Sequence, residues 1–260
     1  HINQLSEFKQ FLGIRGVSYT EQDLKATEDQ VQPVEHPIKQ MYPPRPKQEL
    51  VMKYLMDDTM VNKLVTLPPG YGKTYLALRY MWLKKYRALL TFKSSYTDRW
   101  ISAITETFAH TADDILVVDS SKTLSLLMVM ALNGDKIPAI IIVGFGLWRR
   151  YMEDYEESNG QSTRYPIAPP DFFVVLGIQL KVVDEIHQEF HHNYKSDLYT
   201  NTLFSIGLSA TMESSDPFNN RMYGIAFPSN KRCDGGGYDP HVKVLAWGYK
   251  IDPSINLRTQ

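Results

Sequence analysis

The stretch TLPPGYGKTYLAL, residues 66–78, decides the fold. The run KLVTL (63–67) leading into it has the apolar, β-branched composition of a buried strand, and a helical pattern begins at Lys73. A strand, a glycine turn and a helix that opens with Gly-Lys-Thr form the context of a phosphate-binding loop. A tight strand-to-helix turn that binds no nucleotide is the alternative interpretation.

Each chemical role of a phosphate-binding loop is filled in this stretch. Two glycines allow backbone N–H groups to surround a β-phosphate, the lysine neutralises β- and γ-phosphate oxygens, and the threonine hydroxyl binds Mg²⁺. The usual first glycine is replaced by Leu67, at a position that leaves the strand without approaching phosphate. We predict that the loop binds ATP through Pro69, Gly70, Tyr71, Gly72, Lys73 and Thr74, with Thr74 also a metal ligand.

Outward from the loop, short apolar runs alternate with helical patterns. Such alternation is typical of βαβ units, so we predict an α/β fold with a mainly parallel sheet and helices on both faces. The polar stretches 152–171 and 231–240 are predicted to be loops. The predicted strands are KLVTL (63–67), RALLTF (87–92), DILVVD (114–119), AIIIV (139–143), LKVVDE (180–185) and LFSIGLSA (203–210).

A pair of acidic residues ends one of these runs, in LKVVDEIH (180–187). Phosphoryl transfer needs a carboxylate on Mg²⁺ and a group that positions or deprotonates the attacking water, both at the carboxyl end of a neighbouring strand. We predict that Asp184 binds Mg²⁺ and that Glu185 activates water, with Lys73 as the third catalytic residue. A solvated turn is the alternative for the acid pair.

Composition limits the partners and the compartment. The 28 basic and 29 acidic residues leave no global positive charge, so any nucleic-acid contact must come from a local patch. The single cysteine, Cys233, excludes an intrachain disulfide framework and fits a reducing, intracellular compartment, with the cytoplasm first and a nuclear or viral origin as alternatives. The longest apolar stretch, 138–148, is shorter than the roughly 20 residues that span a bilayer, so no membrane partner is expected.

Three segments in the same order resemble motifs I, II and III of superfamily 2 helicases, the DEAD-like ATPases: PPGYGKT, VVDEIH and GLSAT (207–211). The resemblance covers about residues 41–230. It implies a first RecA-like motor domain at 41–240, preceded by an appendage and linker (1–40) and followed by a connector (241–260). It also implies ATP and Mg²⁺ as cofactors and DNA or RNA as the partner.

The resemblance assigns further roles. PPRPKQELVMKYL is similar to the element that reads adenine, which gives that role to Gln48 with support from Arg45. His187 would relay the nucleotide state through Ser209 and Thr211, by a hydrogen-bonded network beside the γ-phosphate. Segments in the places of motifs Ia and Ib/Ic imply nucleic-acid contacts by Lys93, Ser94, Phe145 and Arg149, although motif Ia lacks the family's usual proline.

Helicases of this family cleave ATP between two RecA-like domains, and the second supplies arginine fingers worth about 10³- to 10⁵-fold in turnover. The chain ends soon after the segment similar to motif III. We therefore expect it to be one domain of a larger protein, or to act with a second RecA-like domain in trans. Alone, it should bind ATP weakly and hydrolyse it very slowly.

Other functions compete with this one. A phosphate-loop ATPase that acts as a switch on a protein partner, or a non-catalytic module that keeps the fold, would share the loop. HQEFHH (187–192) lacks the glutamate that a zinc protease needs after its first histidine, and GLSAT lacks the second glycine of a nucleophile elbow. LWRRY (147–151) could grip phosphates and stack bases, or form a solvated basic turn with its aromatic rings packed inward.

Overall fold

A parallel β-sheet organises the chain. The computed structural model describes residues 5–21, 32–160, 164–211 and 215–234, and in these ranges all seven strands pair in parallel, in the order β3-β4-β2-β5-β6-β1-β7. This confirms the predicted α/β class. The strands are β1 (Asn62–Thr66), β2 (Ala88–Phe92), β3 (Ile115–Val118), β4 (Ile140–Gly144), β5 (Leu180–Asp184), β6 (Phe204–Ser209) and β7 (Arg232–Asp234).

Helices cover both faces of the sheet. In the described ranges they are α1 (Leu5–Ile14), α2 (Pro46–Leu55), α3 (Lys73–Lys84), α4 (Thr97–Thr107), α5 (Ser121–Asn133), α6 (Phe145–Glu157), α7 (Pro169–Val175), α8 (Phe190–Tyr199) and α9 (Pro217–Ala226). Successive strand residues face opposite sides. Leu90 accordingly packs in a core cluster with residues of α2, α3 and α4, whereas its neighbour Leu89 packs with α5, α6 and α7. Among the described helices, none is long and apolar enough to cross a bilayer.

Because all the strands run in parallel, their carboxyl ends meet at one edge of the sheet. The segments at this edge include the loop after β1, the 3₁₀ turn Ser94–Tyr96 after β2, the start of α6 after β4 and the acid pair at the end of β5. Ligands of open α/β sheets bind at this edge. The topology therefore brings together segments that are more than 100 residues apart in the chain.

Two stretches predicted to be loops contain regular structure. Within 231–240, β7 pairs in parallel with β1, outside it at the end of the sheet. Within 152–171, α6 continues to Glu157 and α7 begins at Pro169. The prediction for α6 was wrong because the helix is amphipathic, with buried Tyr151 and Met152 on one side and acidic residues on the other.

Residues 32–42, the N-terminal strap, lie along α3 and α4. Val34 N–H donates to Lys85 O at 2.7 Å, and the backbone N–H groups of Lys39 and Gln40 both donate to Thr107 O. His36 is buried in this contact. Tyr42, at the end of the strap, accepts a hydrogen bond from Tyr75 in the first turn of α3, so the strap also reaches the edge of the sheet at which the phosphate-binding loop lies.

Candidate nucleotide site and its surroundings

The loop after β1 has the conformation that its glycines permit. Gly70 and Gly72 both have positive φ angles, 78° and 92°, and α3 begins at Lys73 directly after them. A Cβ atom on Gly72 would lie 2.6 Å from Gln48 Nε2, so a side chain here would have to displace the Gln48 amide, and the positive φ angle would strain it as well. The first N–H groups of α3 therefore open toward the carboxyl edge of the sheet, where they can bind an anion.

The predicted catalytic lysine faces the predicted catalytic glutamate. Lys73 Nζ lies 3.1 Å from Glu185 Oε1, and both side chains are mostly buried. Glu185 has a φ angle of 50°, in the left-handed region that residues other than glycine rarely adopt. Strained backbone of this kind tends to occur at functional sites, and here it is found at the turn directly after β5.

Asp184 is the most buried acid of the site, with 8% of its surface exposed. Burial raises the pKa of its carboxyl group, and a hydrogen bond from Trp100 opposes this shift. Oδ2 accepts the Trp100 indole N–H at 2.9 Å, and Oδ1 accepts the backbone N–H of Glu185 at 3.1 Å. Asp184 and Thr74 line the same cavity, and their carboxylate and hydroxyl oxygens are the hard donors that Mg²⁺ prefers. The residues therefore fit this metal.

A cavity of about 680 Å³ adjoins these groups, within the size range of ligand pockets. The loop lines it with Pro69, Gly70, Gly72, Lys73 and Thr74, and the acid pair lines it with Asp184 and Glu185. Tyr71, Arg45 and Gln48, which were also predicted to bind nucleotide, are not among its lining residues. The structure thus brings most of the predicted ATP-site residues around one cavity.

Gln48 does not line the cavity and instead hydrogen-bonds to the backbone of the loop. Its Oε1 accepts the Arg45 backbone N–H and its Nε2 donates to Tyr71 O, both at 2.9 Å. The side chain is buried and braces the turn from α2. A contact with adenine stays a prediction for Gln48 and Arg45, because in this conformation the Gln48 amide bonds to the backbone of its own chain.

The far end of the cavity is lined by residues that sequence analysis missed. Lys39, Gln40, Met41 and Tyr42 of the strap line it, together with Tyr75 of α3 and residues of α4. Tyr75 Oη donates to Tyr42 O at 2.8 Å, which fixes the strap to α3. The only local signal was the position of Tyr42 directly before the PPRP run, so a sequence pattern alone could not show that it reaches the loop.

The three residues predicted to couple the site to the rest of the domain are connected. His187 Nδ1 lies 2.8 Å from Ser209 Oγ and 3.4 Å from Glu185 Oε2. Ser209 Oγ donates to Thr211 O and accepts the Thr211 N–H. A continuous polar path thus runs from the acid pair to the end of β6, while its role in relaying the nucleotide state stays a prediction.

The alternative zinc site has no support in the described part of the chain. His187 lies in the turn before α8, which begins at Phe190, so His187 and His191 do not share a helix face. No group of three or more potential histidine, cysteine or carboxylate ligands occurs among the described residues.

The residues predicted to contact nucleic acid lie beside the cavity, at the same edge of the sheet. Lys93, Ser94 and Phe145 line one groove, and Ser94, Arg149 and Arg150 line another that opens at the start of α6. Phe145 is only 7% exposed and packs in the core with residues of β5 and α8.

Of the two interpretations of LWRRY, the structure supports the inward packing of the aromatic rings. Trp148 and Tyr151 are both buried in α6 and are not available to stack on bases. The segment is a helix rather than a turn, and Arg149 faces Glu153 at 3.7 Å and Glu189 at 4.0 Å.

Comparisons with known proteins identify the fold. No protein-family model matches the chain, and no curated protein matches its sequence. Among solved structures, the Hef helicase domain of Pyrococcus furiosus is similar over 78% of this chain and 41% of its own, with 18% identity and a TM-score of 0.50.

Two further structures are similar at lower scores. The SWI2/SNF2 ATPase core of Sulfolobus solfataricus, in complex with dsDNA, has 12% identity and a TM-score of 0.48, over 78% of this chain and 46% of its own. The UvsW helicase of bacteriophage T4 has 13% identity and a TM-score of 0.48, over 85% and 75%. The chain spans less than half the length of the first two structures. The likeness to the Hef domain confirms the α/β fold with a parallel, RecA-like sheet that the sequence predicts.

Proposed function

We propose that this chain is an ATP-binding motor domain of a superfamily 2 DNA or RNA helicase or translocase, which hydrolyses ATP with Mg²⁺ when paired with a second RecA-like domain. The observation that carries the proposal is the meeting of Lys73 and Glu185 at 3.1 Å, in a cavity that Asp184 and Thr74 also line. The single cysteine favours a reducing, intracellular compartment for this activity.

The chain's own residues account for the steps before and during cleavage. The N–H groups at the start of α3 and the Lys73 ammonium hold the β- and γ-phosphates. When Lys73 turns to phosphate, its ion pair with Glu185 is loosened, and the Glu185 carboxylate becomes available to orient and deprotonate a water. Mg²⁺, when held by Thr74 and Asp184, would neutralise the charge that develops on the phosphate oxygens.

The groove at the start of α6 supports DNA or RNA as the partner. The N-cap residue of α6, Gly144, has no side chain that could satisfy the first N–H groups, and Ser94 Oγ lies close to it. N–H groups at a helix start, with Arg149 and Arg150 one turn further, can bind backbone phosphates in either nucleic acid. A strand bound there would run beside the nucleotide cavity.

Nucleotide binding is the first test. Isothermal titration with a non-hydrolysable ATP analogue and Mg²⁺ should give binding to the wild type that Lys73→Ala weakens at least tenfold. Lys136→Ala is the matched control, because Lys136 lies exposed on the surface and pairs with Asp114 away from the cavity. Equal affinities for the wild type and Lys73→Ala would refute the ATP site and favour a non-catalytic module.

The partner is tested in a protein in which this chain is paired with a second RecA-like domain. Its ATPase rate should rise on addition of DNA or RNA, and the charge-removing change Arg149→Ala should reduce that rise without altering the basal rate. Stimulation by a protein partner alone would instead support the switch alternative.

A further inference from the structure

Trp100 is a buried residue of α4, and the only polar atom of its side chain donates a hydrogen bond to the carboxylate of Asp184. Its side chain is 1% exposed, and its ring stacks on Phe92 with centroids 5.5 Å apart and planes 8° apart. The indole Nε1 donates to Asp184 Oδ2 at 2.9 Å. An indole N–H can only donate, so this contact requires an acceptor oxygen in one fixed place.

We propose that Trp100 is a positioning residue for metal binding: its indole N–H holds the Asp184 carboxylate in the orientation that presents an oxygen to Mg²⁺. The proposal rests on the proposed ATP-dependent function. Asp184 is held at two points, by Trp100 at Oδ2 and by the Glu185 backbone N–H at Oδ1. Each oxygen keeps a further lone pair, so both bonds can persist while the carboxylate serves a metal.

The stacking on Phe92 makes the donor rigid. Phe92 ends β2, the strand that pairs with β5, so the ring platform and the carboxylate belong to adjacent strands of one sheet. A residue that orients a metal ligand typically changes metal affinity by about 10- to 100-fold when it is removed. The hydrogen bond from Trp100 therefore attaches α4 to Asp184, the proposed metal ligand. This contact is separate from those made by the phosphate-binding loop and Glu185.

The chain offers a matched control. Trp148 is also buried, at 2% exposure, and its Nε1 donates at 2.9 Å, but its acceptor is Ser196 Oγ. Trp100→Phe and Trp148→Phe therefore make the same chemical change at equal burial, and only the first removes a bond to the metal ligand. Phenylalanine keeps the aromatic packing in both.

The experiment measures the effect of metal on nucleotide affinity, separately from turnover. The dissociation constant of a non-hydrolysable ATP analogue is measured with Mg²⁺ and with a chelator, for the wild type and both variants. We expect Mg²⁺ to strengthen binding about tenfold less in Trp100→Phe than in the wild type. The affinity without metal should stay within twofold, and Trp148→Phe should behave as the wild type.

If Mg²⁺ strengthens analogue binding in Trp100→Phe as much as in the wild type, the inference is wrong, but the proposed function is not affected. Equal losses in the two variants also overturn the inference, because they indicate a general packing defect. If the wild type itself binds no nucleotide, or binds it without any effect of Mg²⁺, the proposed function fails, and the inference fails with it.

A second measurement covers the case in which Trp100→Phe does not fold. In the ¹⁵N-tryptophan-labelled wild type, adding Mg²⁺ with the analogue should shift the Trp100 indole resonance and leave that of Trp148 in place. Asp184→Asn should abolish the metal-dependent part of this shift. If the chemical shift of the Trp100 indole does not change when Mg²⁺ is added, the proposal is contradicted.

Discussion

Acid should weaken the attachment of the N-terminal strap through one histidine, His36. Its Nε2 lies 2.9 Å from Tyr86 O, which can only accept, so this nitrogen carries a proton. Burial favours the neutral form of this ring, and in that form Nδ1, which lies 2.9 Å from His110 Nε2, accepts a hydrogen bond from His110. A proton on Nδ1 would remove this acceptor and place a charge in the buried contact.

The magnitude follows from the pKa of this histidine. His36 is 2% exposed, and burial lowers its pKa from 6.5 to about 4. Because the folded pKa lies below the unfolded one, the unfolded chain binds the extra proton between these values, and stability falls as the pH falls from 6.5 to about 4. The two pKa values differ by roughly 2.5, and each pKa unit is worth 1.36 kcal/mol, so protonation of His36 should lower the free energy of unfolding by about 3 kcal/mol.

The assay compares His36→Gln with the wild type by urea unfolding at pH 7, 5.5 and 4. Glutamine does not titrate in this range. Between pH 7 and pH 4, the free energy of unfolding of the wild type should therefore fall by about 3 kcal/mol more than that of the variant. The neighbouring charged and titratable groups, His110, Asp114 and Glu35, are present in both proteins. His191→Gln, at an exposed histidine, is the control. A difference between variant and wild type that is constant across this range would refute the reasoning.

Three further changes test the site and its support. Gly72→Ala should weaken analogue binding at least tenfold in titrations, because its φ angle is 92° and a Cβ would clash with Gln48, whereas Gly134→Ala, with open space around it, should not. Lys181→Met should lower the free energy of unfolding by about 3 kcal/mol in urea melts, because it removes the cation of the largely buried ion pair between Lys181 and Asp197. Ser209→Ala should leave analogue binding within twofold but reduce nucleic-acid-stimulated turnover when the chain is paired with a second RecA-like domain; unchanged stimulation would contradict the coupling role.

The strands could be predicted because their burial is visible in the sequence. All six predicted runs agree with observed strands to within one residue at each end, since a parallel strand covered on both faces must be apolar almost throughout. Strand β7 could not be found in this way. It holds Arg232, Cys233 and Asp234, is partly exposed, and among the described strands pairs with β1 alone, so it lacks the long apolar run of the buried strands.

The loop and the acid pair could be predicted because each is local, with its chemistry contained in a few consecutive residues. The hydrogen bond from Trp100 to Asp184 joins positions 84 residues apart, and the local sequence around either residue does not predict this contact. The strap is a similar case: Tyr42 reaches the cavity only because the backbone of residues 34–40 binds α3 and α4. Contacts of this kind depend on the topology of the sheet, and no motif encodes them.

The leucine at the head of the loop shows how a departure from a motif can be compatible with the site. Leu67 is fully buried, and its N–H donates to Ser209 O at 2.9 Å, which extends the pairing of β1 with β6. Glycine there would remove a core side chain, a change that typically costs 2 to 5 kcal/mol for leucine to alanine. The backbone adopts positive φ only from Gly70 onward, so Leu67, directly after β1, still continues the pairing of that strand with β6. Its carbonyl, 3.5 Å from Lys73 Nζ, also helps to direct the lysine across the turn.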